Sequence, residues 1–228
     1  MMLRMRPWLG LLLSVVLGSV LSGCLYVQRP RPGGGGDPEA IRVFVQRLRD
    51  AMDWQNPITR NFAINCVNPL HQGPYNIAQI CDVWDAITSR WVFVSDPYGG
   101  VGATPFEPTP ASVTISAGLR GDCDDYAVLM AASIRAIGGA SRVVIAAAPT
   151  VSHAYAEVFL GTVGNYYTHV RPAIDYIRWR YGIQDVHVYT DPGGEVWLNL
   201  DWQIDNRGRQ YPGGPWFQGV RVLVVLCP

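Results

Sequence analysis

Gly121-Asp122-Cys123-Asp124-Asp125-Tyr126-Ala127 (GDCDDYA) opens the segment whose pattern decides the fold. From Asp122 to Ile137 the apolar residues Tyr126, Ala127, Leu129, Met130, Ala131, Ile134 and Ile137 fall nearly all round a helical wheel. That pattern predicts a helix buried on most sides, and Gly138-Gly139 stops it. Cys123 then lies in the first turn. There the free amides and the helix macrodipole stabilise a thiolate, and the same amides can serve as oxyanion donors. Gly121 just before it lets a substrate approach the backbone. A cysteine on a buried helix is ordinarily inert core, but a flanking glycine and three carboxylates are foreign to a core position. Asp122, Asp124 and Asp125 also raise calcium; three carboxylates in a helix's first turn are ordinary partners of its dipole, and no metal is assigned.

Outward from this helix the chain divides. Before it, Ile41, Val45, Leu48 and Met52 predict an amphipathic helix within Glu39–Trp54, and Ile80, Val83, Trp84 and Ile87 predict another over Ile77–Trp91. Asn56–Gly73 has no periodicity and reads as a loop, and Ser95-Asp96-Pro97-Tyr98-Gly99-Gly100 as a turn. After it, Arg142–Ala147, Ala154–Leu160 and Val196–Leu200 read as strands, and Val220–Leu226 as a late buried strand. Helices first and strands afterwards give an α+β fold with an antiparallel sheet. Asn165–Asp191 reads as an insertion between two strands with a short helix near Ile174–Arg180.

Two further words complete a constellation: Ser152-His153-Ala154-Tyr155-Ala156-Glu157-Val158 and Trp197-Leu198-Asn199-Leu200-Asp201-Trp202. His153 opens one predicted strand and Asp201 closes another, so neighbouring antiparallel strands can join imidazole to carboxylate. The carboxylate would orient the imidazole, and the imidazole would hold the thiolate. Together with GDCDDYA, these words resemble the transglutaminase-like superfamily, in its bacterial and archaeal lipoprotein-type members. The resemblance covers roughly Asp82 to Asp201. It implies a papain/transglutaminase-like fold, N-terminal helices with a central buried helix on an antiparallel β-sheet. It also implies Cys123 as nucleophile, His153 as general base and acid, and Asp201 as the orienting carboxylate. The 48 positions between His153 and Asp201 exceed the family's usual hairpin, which leaves Asp175, Asp185 and Asp191 as rivals. Trp91 lies where some members place an aromatic near the oxyanion. Glu157 reads as structural, and Trp197, Trp202 and Trp216 as packing or as the lining of a polymer-binding groove.

The N-terminus reads as an address. Arg4 and Arg6 precede an apolar run from Leu9 to Val20, too short for a membrane span and right for a signal segment. Leu21-Ser22-Gly23-Cys24 resembles a bacterial lipobox, in which the cysteine is acylated and becomes the new N-terminus. The expected organisation is a signal peptide over 1–23, a flexible Pro/Gly linker over 24–37 and one domain over 38–228. The protein is then exported and held on a cell membrane or outer membrane by lipid on Cys24.

Composition bounds what remains. The 18 basic and 18 acidic side chains cancel, so no single-sign field recruits nucleic acid. Every basic residue is arginine, which excludes lysine Schiff-base chemistry and a Walker lysine. Of five cysteines, Cys24 is taken by lipid, and a Cys66–Cys81 bridge is expected because both lie in one loop-rich stretch. A second bridge would sacrifice Cys123, so Cys227 is expected as a buried or terminal thiol. Cys66, His71 and Cys81 lack the paired spacing of a zinc module. The expected activity is cofactor-free cleavage or transfer of amide bonds in a peptide, protein or cell-wall substrate, through a thioester on Cys123. The competing expectation is a non-catalytic peptide- or glycan-binding envelope lipoprotein that keeps the fold.

Overall fold

The computed structural model describes residues 38–94, 108–149 and 151–228. The signal segment, Cys24, the linker and the turn expected at Ser95–Gly100 lie outside these residues. Helix α1 (Pro38–Ala51) buries Leu48 and Ala51, with Phe44 and Val45 packed against the same core. Asn56–Gly73, expected as a loop, instead holds helix α2 (Pro57–Cys66). Asn56 caps it by accepting from the Ile58 amide at 3.0 Å, and Pro57 fits the first turn. Its buried residues are only Thr59 and Ala63, so the helix carries almost no apolar stripe to read. Asn76 caps helix α3 (Ile77–Thr88) through the Ala78 and Gln79 amides.

Strand β1 (Val92–Phe93) pairs in parallel with β2 (Arg120–Gly121), helix α4 (Ala111–Ser116) lying between them in sequence. Helix α5 (Cys123–Ala136) follows β2 directly and is buried from Cys123 to Ile134. The remaining strands are β3 (Ser141–Ala147), β4 (Ser152–Thr162), β5 (Val188–Thr190), β6 (Glu195–Asn199) and β7 (Val220–Leu226). They form one antiparallel sheet in the order β5-β6-β4-β3-β7. The chain between β4 and β5 carries helix α6 (Arg171–Tyr181), close to the helix expected there. The all-round burial of α5 and the run of strands after it therefore build the α+β architecture.

Alternation along β3 and β4 sorts the sheet's two faces. Val143, Ile145, Ala154, Ala156 and Val158 share a core with Tyr126, Leu129 and Met130 of α5. Val144, Ala146 and Tyr155 form a smaller cluster with Trp216 and Phe217. Next to that cluster Glu157 accepts from Arg142 at 2.7 Å and from Arg221 at 2.6 and 2.8 Å. The Arg142 guanidinium lies 3.8 Å from the centre of the Trp197 ring. Strand β7 corrects the expectation of a buried strand, because it is an edge strand paired only with β3 and exposes Val220, Val224 and Leu226. Val224 and Leu226 share one face of the strand, opposite to the buried Val225, and there that face is open to water.

The expected Cys66–Cys81 bridge is not formed: both are thiols. Cys81 sits on the core side of α3 and is fully buried. Cys66 ends α2 and accepts from the Arg90 guanidinium at 3.7 Å. The stretch between them is held without a bridge, by Asp82 accepting from the Asn68 amide at 2.9 Å and pairing with His71 at 2.6 Å. No helix among the described residues is long and apolar enough to cross a membrane.

Candidate active site

The start of α5 is fixed before any catalytic geometry is considered. Asp122 is the N-cap, accepting from the Asp124 amide at 3.2 Å, while Asp125 reaches back to the Asp122 amide at 3.2 Å. This reciprocal pair is a capping box. The turn that delivers it holds Leu119 at φ 59°, left-handed for a buried leucine. A Cβ on Gly121 would land on the Asp125 carboxylate. The glycine therefore makes room for the capping carboxylate. Burial raises the Asp125 pKa, opposed by hydrogen bonds from Thr109 and the Asp122 amide. Ligand atoms of Asp122, Cys123 and Asp124 lie within 4.8 Å of one another, and Asp122 serves the cap. Cys123 thus occupies the first position of a rigid helix, 1% exposed.

His153 stands at the start of β4 and Asp201 two residues past the end of β6. The pairing of Glu157 with Asn199 in antiparallel register carries Asp201 to the level of Tyr155, diagonal to His153. His153 Nε2 and Asp201 Oδ2 are 2.8 Å apart, at 4% and 1% exposure. The other oxygen, Oδ1, accepts from the Trp202 amide at 2.8 Å. With Nε2 engaged by the carboxylate, Nδ1 is the nitrogen left for a thiol. The imidazole lies within an aromatic enclosure, 5.1 Å from the Phe217 ring, 6.0 Å from Trp202 and 6.1 Å from Tyr155 between centres. Trp202 joins the two halves of the site. Its ring lies 4.4 Å from Tyr126, one turn beyond Cys123, and 6.0 Å from Trp91.

The family model of the transglutaminase-like superfamily matches residues 89–203, a span containing Cys123, His153 and Asp201. The chain belongs to the transglutaminase-like superfamily. No curated protein and no solved structure matches it. The matched span of this transglutaminase-like chain ends at Gln203; the segment from Ile204 to Gly219 and strand β7 lie beyond it.

Among the rival carboxylates, Asp175 pairs with Arg171 and Arg178 on the exposed face of α6. Asp191 accepts from the Glu195 amide at 2.9 Å. Asp185 lines a cleft of about 430 Å³ with His187, Asp205 and Arg209. Asp201 is the carboxylate bonded to His153. The other thiols of this transglutaminase-like domain are suppressed. Burial pushes the pKa of Cys81 and of Cys227 up to about 12, and raises Cys66 against the opposing charge of Arg90.

Sequence reading did not single out Asn199, Tyr126 or Phe217. Asn199 was marked by being a polar residue inside an apolar strand word, the kind of buried polar group that must find partners. Phe217 had no signal, since its place beside His153 depends on the path of a long segment. Trp91, flagged near the oxyanion, has a buried indole N–H with no acceptor among the described residues.

Proposed function

We propose that this protein is a thiol acyl-transfer enzyme of the cell envelope, acting on amide bonds through a thioester on Cys123. The observation that carries the reading is the buried His153–Asp201 hydrogen bond, within the same family span as a cysteine at a capped helix N-terminus. The helix dipole and an imidazolium both favour the thiolate. Its sulfur adds to the amide carbonyl, giving a tetrahedral oxyanion. The amides at the start of α5 and the unpartnered Trp91 N–H are the donors this reading gives to that oxyanion. Collapse breaks the C–N bond as His153 passes its proton to the departing amine. Water, deprotonated by the neutral imidazole, then cleaves the thioester and returns the thiol. An amine in place of water would give transfer instead of hydrolysis, and water is the acceptor assigned here. Asp201 orients the ring and stabilises its positive form throughout. No cofactor takes part.

The site is proposed to work outside the cell, on a peptide, protein or wall component, with lipid on Cys24 as the membrane tether. Replacement of Cys24 by serine should release the protein from the membrane fraction and change its mass. Unchanged fractionation and mass would remove the tether from the reading.

One observation favours a second reading. Cys123, His153 and Asp201 are all nearly inaccessible, as suits a non-catalytic envelope lipoprotein that keeps the fold for binding peptide or glycan. Incubation of the purified protein with a mixed peptide and muropeptide pool, read by mass spectrometry, separates the two. Cleavage or amine exchange lost in Cys123→Ala supports the enzyme. Retention of ligands by wild type and Cys123→Ala alike, with no covalent change, supports the binding protein.

A further inference from the structure

Asp201 lies two residues past the end of β6, beyond the last paired residue, and its carboxylate still meets His153 at 2.8 Å. What holds it is the residue two positions earlier. Asn199 is fully buried, and its Oδ1 accepts from the Asp201 amide at 3.1 Å. Its Nδ2 donates to the carbonyls of Gly214 and Pro215 at 3.0 and 3.1 Å. Its own carbonyl accepts from the Gly213 amide at 2.6 Å. Between the two residues, Leu200 donates to Ala156 at 3.0 Å and accepts from the Trp84 indole at 3.2 Å. The segment that Asn199 grips continues from Pro215 into Trp216 and Phe217, which pack on Val144, Ala146 and Tyr155. Phe217 places its ring 5.1 Å from the imidazole. One amide side chain therefore ties down the carboxylate on one side of His153 and the aromatic flank on another.

We propose that Asn199 is a positioning residue for the His153–Asp201 pair, setting the Asp201 carboxylate and the Phe217 ring against the imidazole through one buried amide. This rests on the acyl-transfer reading above. An amide suits the task because both its ends are used at once, the oxygen toward Asp201 and the NH2 toward two carbonyls. Alanine loses both, and aspartate keeps an acceptor for Asp201 but sets a carboxylate against two carbonyl oxygens. Serine keeps a hydroxyl that can make one of the bonds. With Asp201 loosened, the imidazolium is held less well. The thiolate of Cys123 then forms only at higher pH, and the loss of reactivity is largest on the acidic side.

The test is the pH profile of iodoacetamide alkylation at Cys123, resolved by peptide mass spectrometry. Wild type, Asn199→Ala, Asn199→Ser and the remote core variant Leu48→Ala, which is destabilised without touching the site, are compared. Asn199→Ala should slow Cys123 at pH 6 about fivefold, the effect of losing one ordinary hydrogen bond. It should approach wild type near pH 9, with Asn199→Ser between them and Leu48→Ala unchanged in profile. In the wild-type protein, the Asn199 side-chain NH2 and the Asp201 backbone amide should both be protected from hydrogen exchange. That measurement stands even if a variant does not fold, and rapid exchange at either group overturns the proposal. An Asn199→Ala profile matching wild type, or matching Leu48→Ala in any shift, also overturns it. If Cys123 in the otherwise wild-type chain proves indifferent to His153→Ala, the acyl-transfer reading fails instead.

Discussion

His153 Nε2 and Asp201 Oδ2 stand 2.8 Å apart across 48 residues of chain, and both side chains are buried. The contact is made by adjacent strands, because β4 and β6 pair directly and the insertion between them folds as α6 and as β5, which pairs on the other side of β6. A long insertion in sequence is thus compatible with a short hydrogen bond in space. A buried histidine–carboxylate pair also needs a reason to be retained, since an apolar pair of the same shape would be at least as stable.

If that reason is to charge the imidazole that the acyl-transfer reading pairs with Cys123, the pair should be visible in thiol reactivity. His153→Ala should slow alkylation of Cys123 at pH 6 by about a hundredfold, as a thiol returned toward its ordinary pKa near 8.5 would. Asp201→Asn should slow it less, about tenfold, since orientation is lost while the ring remains. Peptide-resolved rates over pH 5–9 measure both. Equal rates in all three proteins would sink the catalytic assignment.

The thiols offer an internal comparison. Cys81 and Cys227, with pKa values pushed up to about 12 by burial, hold a thiolate in roughly one molecule in a hundred thousand at pH 7. Cys66 is raised as well. Cys123 should therefore label ahead of the half-buried Cys66 near neutral pH, and Cys81 and Cys227 more slowly than both. Because Cys66 and Cys81 are thiols, reductant should leave the melting temperature of the protein as purified unchanged. A drop on reduction would restore the bridge that the fold argues against.

How much of this was readable in advance differs by element. α5 was legible because burial on all sides leaves an apolar pattern that nothing else explains. The contact of His153 with Asp201 was legible because one residue opens a predicted strand and the other closes a neighbouring one. Helix α2 was not, because its contacts are made by Thr59 and Ala63, residues too small or polar to mark a stripe. Strand β7 reads as buried, since an apolar run does not say how many neighbours its strand has. Gly121 could be seen as special but not for what; only the position of the Asp125 carboxylate explains it. The grip of Asn199 on Gly214 and Pro215 depends on a return path that no local pattern encodes.

Glu157 lies between two guanidiniums and is fully buried. Glu157→Gln would leave Arg221 without its carboxylate and Arg142 with the longer contact to Asp191, at 3.8 Å. Breaking a buried pair in this way destabilises by about 3–5 kcal/mol. Urea unfolding at pH 7 checks it. A loss under about 1 kcal/mol would mean that the arginines are solvated or re-paired, since exposed pairs contribute only that much. Arg142 over Trp197 and Arg221 over Tyr189, each 3.8 Å from the ring centre, should both resist replacement by lysine, because a guanidinium plane matches a ring and an ammonium does not.

Asp125 gives a prediction in pH. Its carboxyl has a pKa raised above the ordinary value, with burial as the largest cause, and hydrogen bonds from Thr109 and the Asp122 amide opposing. An acid with a raised folded pKa binds its proton more tightly in the folded state than in the unfolded one. Protonation therefore favours folding: the contribution of Asp125 to stability is lower at pH 7 and rises as pH falls through its folded pKa. Asp125→Asn keeps an oxygen to accept from the Asp122 amide and removes the buried charge. The variant should match or exceed wild-type melting temperature at pH 7, and the difference should shrink on acidification toward the ordinary carboxylate range. Asp125→Ala should be less stable than both at every pH, because it leaves the Asp122 amide without its acceptor at the start of α5. Melting curves of the three proteins from pH 4 to pH 8 decide the matter. A wild-type advantage over Asp125→Asn that grows with pH would show that the carboxylate is stabilised by its donors and that burial is the lesser influence.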